Sequence, residues 1–231
     1  MIFFIIVELY LLIDMKDTVL MVMSVRDIRQ VFESYDKLDC EKIYFKGFTE
    51  DELVSHINNF ISKSDFENYF ITSDDCMISK ERFDLLKYYL NYNPIVSGWG
   101  VWGQQENFTT VVSADKIDKL NNYNPVFYEY ILYFMANNCY KTYEIDSLPN
   151  LINSSFTGWF FTGAKKNVWL EYPFQTFVHP MSRSDLNFSF RVLRDKKYNQ
   201  LIVKSCRCIH LSNSEFQRKY KLNTKEIIKT F

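Results

Sequence analysis

The chain has 231 residues, 47% hydrophobic and 24% charged, with a formal net charge of −1 at neutral pH. Such a composition builds one sizeable core and excludes a disordered chain. The small net charge gives no general attraction to nucleic acid, and only 6 Gly and 5 Pro exclude a collagen-like or linker-rich chain.

Residues 1–13 are almost all apolar and are interrupted by Glu8. A bilayer core needs about 20 apolar residues, so this stretch is too short to span one. No basic segment or small-residue cleavage site marks it as a signal peptide. Three readings stay open for residues 1–14. They pack on the domain, they rest weakly on a membrane, or they precede a true start at Met15. Residues 15–211 are expected to form one domain, followed by a tail.

Thr18 to Ser24 reads as a buried strand. In residues 26–35, Ile28, Val31, Phe32 and Tyr35 have the spacing of an amphipathic helix. Lys42 to Phe45 is a second strand, closed by Lys46 and Gly47. A second helix opens at Thr49, with Glu52 completing a capping box, and carries the stripe Leu53, Ile57, Phe60, Ile61. Residues 68–78 then show aromatic and β-branched residues stopped by a polar cluster, the mark of a strand in a covered sheet. This strand ends in Asp74 and Asp75.

The pattern is βαβαβ, with helices suited to crossovers between parallel strands. It is one half of a nucleotide-binding α/β sheet, and ligands bind such sheets at the carboxyl ends of the strands. Two carboxylates there suit a hard divalent cation, Mg²⁺ or Mn²⁺. The plain alternative is a solvated turn that happens to carry Asp-Asp. No G-x-G-x-x-G and no Walker sequence is present, so a bound nucleotide would need a metal to neutralise its phosphates.

Residues 79–92 read as a third helix with Phe83, Leu86 and Leu90 on one face. Residues 95–102 are a strand, and Phe108 to Val112 is expected beside it. Residues 114–124 are a polar connection, and residues 125–135 a helix with Phe127, Tyr130, Ile131 and Phe134 on one face. Residues 137–155 carry no clear pattern. Residues 155–163 read as a strand bracketed by Gly158 and Gly163, where a backbone or ligand can approach closely. Ser184 and Asp185 have the composition of a helix start, leading into a helix to Leu193. Leu201 to Val203 is a final strand, followed by residues 206–211. Cys40, Cys76, Cys139, Cys206 and Cys208 are odd in number and form no C-x-x-C, so reduced thiols are expected. Cys206 and Cys208 share one face of a strand. The lysine-rich tail, residues 212–231, reads as a solvated helix, with membrane-surface contact as the lesser alternative.

Over residues 15–211 this order of pieces resembles the GT-A nucleotide-sugar glycosyltransferases, in their family-2-like branch. The comparison extends to small glycosyltransferases of crenarchaeal viruses. Thr72-Ser73-Asp74-Asp75 stands where that family has its D-x-D element. Residues 156–161 are similar to the strand beside the acceptor site, and Tyr172-Pro173-Phe174 to a Gly-Pro-Phe element. Residues 184–191 are similar to the E-D-x-D-L-x-x-R element, and residues 203–210 to the closing strand. The departures are Ser73, which is not acidic, and Ser184, which leaves Asp185 as the only carboxylate of its element.

The resemblance implies an α/β, GT-A-type sheet flanked by helices, with a Rossmann-like first half joined to a mixed-sheet acceptor half. It implies transfer of a sugar from a UDP- or GDP-sugar to a glycan or glycoprotein hydroxyl, with Mn²⁺ or Mg²⁺. Asp75, Asp74 and His210 would face the metal. Ser24, Arg26, Lys46, Ser73 and Asp74 would face the nucleotide-sugar, although Arg26 and Lys46 equally read as solvated charges. Gly158 and Trp159 would face the acceptor, and Asp185 would be the general base of an inverting reaction. Trp159 and His210 read equally well as core residues, and Asp185 as a first-turn helix carboxylate. His56 and His179 receive no role. The expected place is the cytoplasm, that of a host if the protein is viral, with no nucleic-acid partner. The competing readings are a metal-dependent nuclease or phosphoryl-transfer enzyme, and a non-catalytic binding or assembly protein.

Overall fold

The computed structural model describes residues 17–24, 29–46, 50–100, 108–112, 139–154, 156–175 and 184–210. The apolar start, Arg26, Thr49 with its capping box, the helix over 125–135, His179 and the tail lie outside the described residues.

The first half follows the expected βαβαβ pattern. Its elements are β1 (Thr18–Ser24), α1 (Arg29–Tyr35), β2 (Glu41–Lys46), α2 (Glu50–Lys63) and β3 (Asn68–Ser73). β1 lies between β2 and β3 and runs parallel to both. Side chains of β1 alternate between two cores. Val19, Met21 and Met23 join the layer that holds α2, and Leu20 and Val22 join the layer that holds α1. Both faces are covered, which is why β1 is apolar at five successive positions, Val19 to Met23, instead of alternating with polar residues. The two crossover helices therefore sit on opposite faces. The chain leaves β1 toward β2 and returns past it to β3, which makes the crevice between the carboxyl ends of β1 and β3 the topological switch point.

After the short β4 (Cys76–Met77), α3 (Lys80–Leu90) is capped by Ser79, whose side chain accepts from the Arg82 amide. Its Phe83, Leu86 and Leu90 are buried, as their spacing predicts. β5 (Ile95–Trp99) follows. β6 (Phe108–Val112) meets the end of that strand where the Thr110 amide donates to the Gly100 carbonyl at 2.9 Å, but the expectation that it is the neighbour of β5 in the sheet is corrected. β6 pairs with β7 (Cys139–Lys141), because both edges of β5 are taken by β9 (Thr162–Lys165) and β10 (Gln200–Arg207). Residues 137–155, featureless in sequence, contain β7, α4 (Thr142–Ile145) and β8 (Leu151–Ser154). These elements are three or four residues long, too short for a period to show.

The strand expected over 155–163 is also corrected. Residues 156–161 are a buried loop, and the strand begins at Thr162. The aromatic residues of the run serve different layers: Phe156 packs edge-on against Phe190, while Phe161 enters the core of α1 and α3. β9 runs antiparallel to both of its neighbours and joins the two halves into one seven-stranded sheet, β2-β1-β3-β9-β5-β10-β8. Gly163 is inside this strand, where a Cβ would stand 2.6 Å from Cδ1 of the Phe70 ring. Gly163→Ala is therefore expected to lower stability by about 1–3 kcal/mol, the usual cost of overpacking. Urea unfolding at unchanged slope measures this; an unchanged midpoint contradicts it.

α5 (Lys166–Glu171) and α6 (Ser184–Asp195) complete the α2 layer, with Trp169 and Phe188 rings 4.7 Å apart. Among the described residues, no helix is long and apolar enough to cross a membrane. All five cysteines are free, and Cys206 and Cys208 lie in one core, as the strand period predicts.

Candidate active site

The turn after β3 places Asp74 and Asp75 at the switch point. The Asp74 amide donates to the Met23 carbonyl at 2.9 Å, which ties the turn to the end of β1. Asp74 is 0% and Asp75 2% exposed, so the solvated-turn alternative does not describe them. Buried carboxylates of this kind are paired or hold metals, because an isolated charge loses its hydration on burial. The Ser73 hydroxyl donates to Asp75 Oδ1, and the Cys76 thiol lies 3.8 Å from the same oxygen. Ser73, expected at the nucleotide, thus has its hydroxyl on Asp75.

Beneath the turn lies Tyr35, the last residue of α1 and fully buried. Its hydroxyl is 3.2 Å from Thr72 Oγ1 and donates to the Ser73 carbonyl at 3.0 Å and to the Cys76 carbonyl. Burial, first among the causes, holds this phenol well above its ordinary pKa, so it stays a proton donor. Burial likewise pushes the Cys206 thiol up to about 12, which keeps it protonated and poorly nucleophilic.

The last strand is longer than the expected Leu201 to Val203. β10 pairs with β5 at Leu201/Val96 and Ile202/Ser97, and next at Arg207/Trp99. The register shifts between these pairs, with residues 203–206 of β10 standing against Gly98 alone. Beyond this shift β11 (Ile209–His210) pairs with β4, with His210 opposite Cys76. The fold thereby brings His210 beside the residue that follows Asp75. Ser24 and Lys46 are register partners at the ends of β1 and β2, and Lys46 Nζ lies 5.1 Å over the Phe32 ring.

Asp185 stands in the first turn of α6, where the helix N-terminus favours a carboxylate. Its Oδ2 accepts from the Trp159 amide at 3.5 Å. The loop is held at two further points: Thr72 Oγ1 donates to the Phe160 carbonyl at 2.7 Å, and Thr162 Oγ1 to the Gly158 carbonyl at 2.6 Å. The strand that carries the Asp pair and the helix that carries Asp185 thus grip the same loop. A Cβ at Gly158 would meet the Phe160 ring, so glycine is required there by the loop itself. Trp159 packs edge-on against Phe174, centroids 5.1 Å apart, and its buried indole Nε1 has no acceptor among the described residues.

Two features were not legible in the sequence. One is Tyr35, which reads there only as a helix core position. The other is Arg207, exposed at the carboxyl end of β10 with its guanidinium 5.3 Å over the Trp99 ring. A cation at a strand end was the available signal, but ending the strand at Val203 hid it. Among the described residues no group of three or more His, Cys, Asp or Glu is arranged to hold a metal. The donor chemistry of Asp74 and Asp75, hard carboxylate oxygens, nevertheless suits Mg²⁺ or Mn²⁺.

The sheet order, its covering helices and the carboxyl rim define a mixed α/β fold of the GT-A type. Solved structures that share it include the following two. A197 from STIV matches with a TM-score of 0.54 and 12% identity, over 84% of this chain and 84% of that one. GalNAc-T7, solved with UDP, GalNAc and Mn²⁺, matches with a TM-score of 0.51 and 8% identity, over 85% of this chain and 44% of that one. At these identities the likeness is one of fold. No protein-family model and no curated protein sequence matches the chain.

Proposed function

We propose that this protein transfers a sugar from a nucleotide-sugar donor to an acceptor hydroxyl, within a catalytic unit over residues 15–211. The observation that carries the reading is the buried Asp74-Asp75 turn at the β1/β3 switch point. The fold shared with GalNAc-T7, solved with UDP, GalNAc and Mn²⁺, supports a UDP-sugar as the first donor to try.

Asp74 and Asp75, with His210 from the neighbouring strand, would hold Mn²⁺ or Mg²⁺. Such an ion supplies positive charge against the negative charge that develops on the leaving diphosphate. Ser24, Arg26 and Lys46 would bind the nucleotide, and Arg207 would add a rim cation for its phosphates. The stacked guanidinium suits phosphate oxygens, which it can meet with two N–H groups at once. Gly158 and Trp159 shape the acceptor side. Asp185 takes the proton of the acceptor hydroxyl as that oxygen attacks opposite the departing nucleotide, which inverts the anomeric centre.

Thermal unfolding with UDP-, GDP- and dTDP-sugars, each with and without Mn²⁺, tests this. One donor is expected to stabilise the fold only when Mn²⁺ is present, by about 2.7 kcal/mol at a hundredfold excess over Kd. If no donor shifts the transition in either condition, the reading fails.

A further inference from the structure

We infer that Tyr35 is a positioning residue for the Asp74-Asp75 turn, its hydroxyl holding both ends of the turn so that the two carboxylates keep a fixed spacing. The inference rests on the divalent-cation reading of that turn. Ser73 and Cys76 are the residues immediately before and after the Asp pair, and the Tyr35 hydroxyl reaches the carbonyls of both. It also reaches Thr72 Oγ1, whose own proton goes to the Phe160 carbonyl. The phenol is therefore the donor toward all three oxygens, which share its single proton.

Space-filling does not account for this arrangement. Phenylalanine would fill the core around Val31 and Leu38 as well, without a buried hydroxyl to desolvate. The hydroxyl instead joins the end of α1 to the end of β3 and the start of β4. Cys76 is the register partner of His210, so the same contact also bears on the strand that carries the histidine. A small, hard cation tolerates little error in ligand placement. Groups that orient metal ligands without touching the metal typically change affinity 10–100-fold when removed.

The test is Mn²⁺ titration of the full chain in the presence of UDP, with free Mn²⁺ read by electron paramagnetic resonance. Tyr35→Phe is expected to raise the apparent Mn²⁺ Kd about 10–100-fold. Val31→Ala, which loosens the same core but keeps the hydroxyl, is expected to lower the melting temperature and leave that Kd unchanged. A wild-type Kd in Tyr35→Phe, or an equal loss of affinity in Val31→Ala, overturns the inference. If Tyr35→Phe does not fold, 3,5-difluorotyrosine at position 35 keeps the shape and gives a stronger donor at pH 6.5. Its Kd should equal or fall below that of the wild type, and a tenfold rise overturns the inference. Failure of the wild type itself to bind Mn²⁺ with UDP removes the metal reading and this inference with it, a result distinct from tight wild-type binding that Tyr35→Phe leaves intact.

Discussion

Asp75→Asn is expected to abolish metal-dependent stabilisation by the donor, while the metal-free protein melts at the same temperature or higher. The two halves of this result have one cause. Asp74 and Asp75 are consecutive and buried, and burying a carboxylate charge costs stability that a bound cation would offset. Asparagine keeps the shape and can still accept from the Ser73 hydroxyl, which donates to Asp75 Oδ1. Removing one buried charge thus lowers the desolvation cost in the metal-free fold and removes the attraction that a cation would feel. Loss of metal affinity should exceed 100-fold, beyond the 10–100-fold typical of groups that only orient a ligand. Gain of stability with loss of function is the usual trade at a site built from strained electrostatics. Calorimetric unfolding with and without Mn²⁺ and UDP-sugar measures both halves. An Asp75→Asn protein that keeps the full donor-dependent shift would return the turn to a purely structural role.

Asp185→Asn is expected to lower kcat by about 10²–10⁴ while donor binding stays intact, the range typical of a lost general base. Its structural cost should be small. Asparagine remains acceptable in a first helical turn, and the lost favourable charge at the N-terminus of α6 is worth about 0.3–1 kcal/mol. The contact from the Trp159 amide, 3.5 Å long, is weak and contributes little. Initial rates at saturating donor, beside the donor-induced thermal shift of the same variant, separate catalysis from folding. A kcat near that of the wild type would leave Asp185 as a helix-start carboxylate.

Much of the first half was legible because its signals are local. The apolar side chains of β1 and β3 are committed to one of two cores by the strand period alone. The stripe Leu53, Ile57, Ile61 commits α2 in the same way. Adjacent acids after a covered strand fix the position of the turn without any tertiary information. The second half was read less well. The aromatic run of residues 156–161 looked like a strand because aromatic residues favour strands, yet its rings are divided among separate layers. The period could not show that β6 belongs with β7, since pairing partners distant in sequence leave no local trace.

What the sequence by itself determined is therefore the set of parallel strands, the helices between them, and two carboxylates at a strand end. Short-range periodicity and the polar stop after residue 73 carry that information. Only the tertiary structure decided that the pair is buried, that a tyrosine 38 residues before Ser73 meets the turn, and that His210, past a register shift in β10, is the register partner of Cys76. It also decided that Asp185 and Thr72 hold the same loop. These are non-local contacts. They depend on sheet order and register, which follow from how two half-sheets bury their faces together through β9.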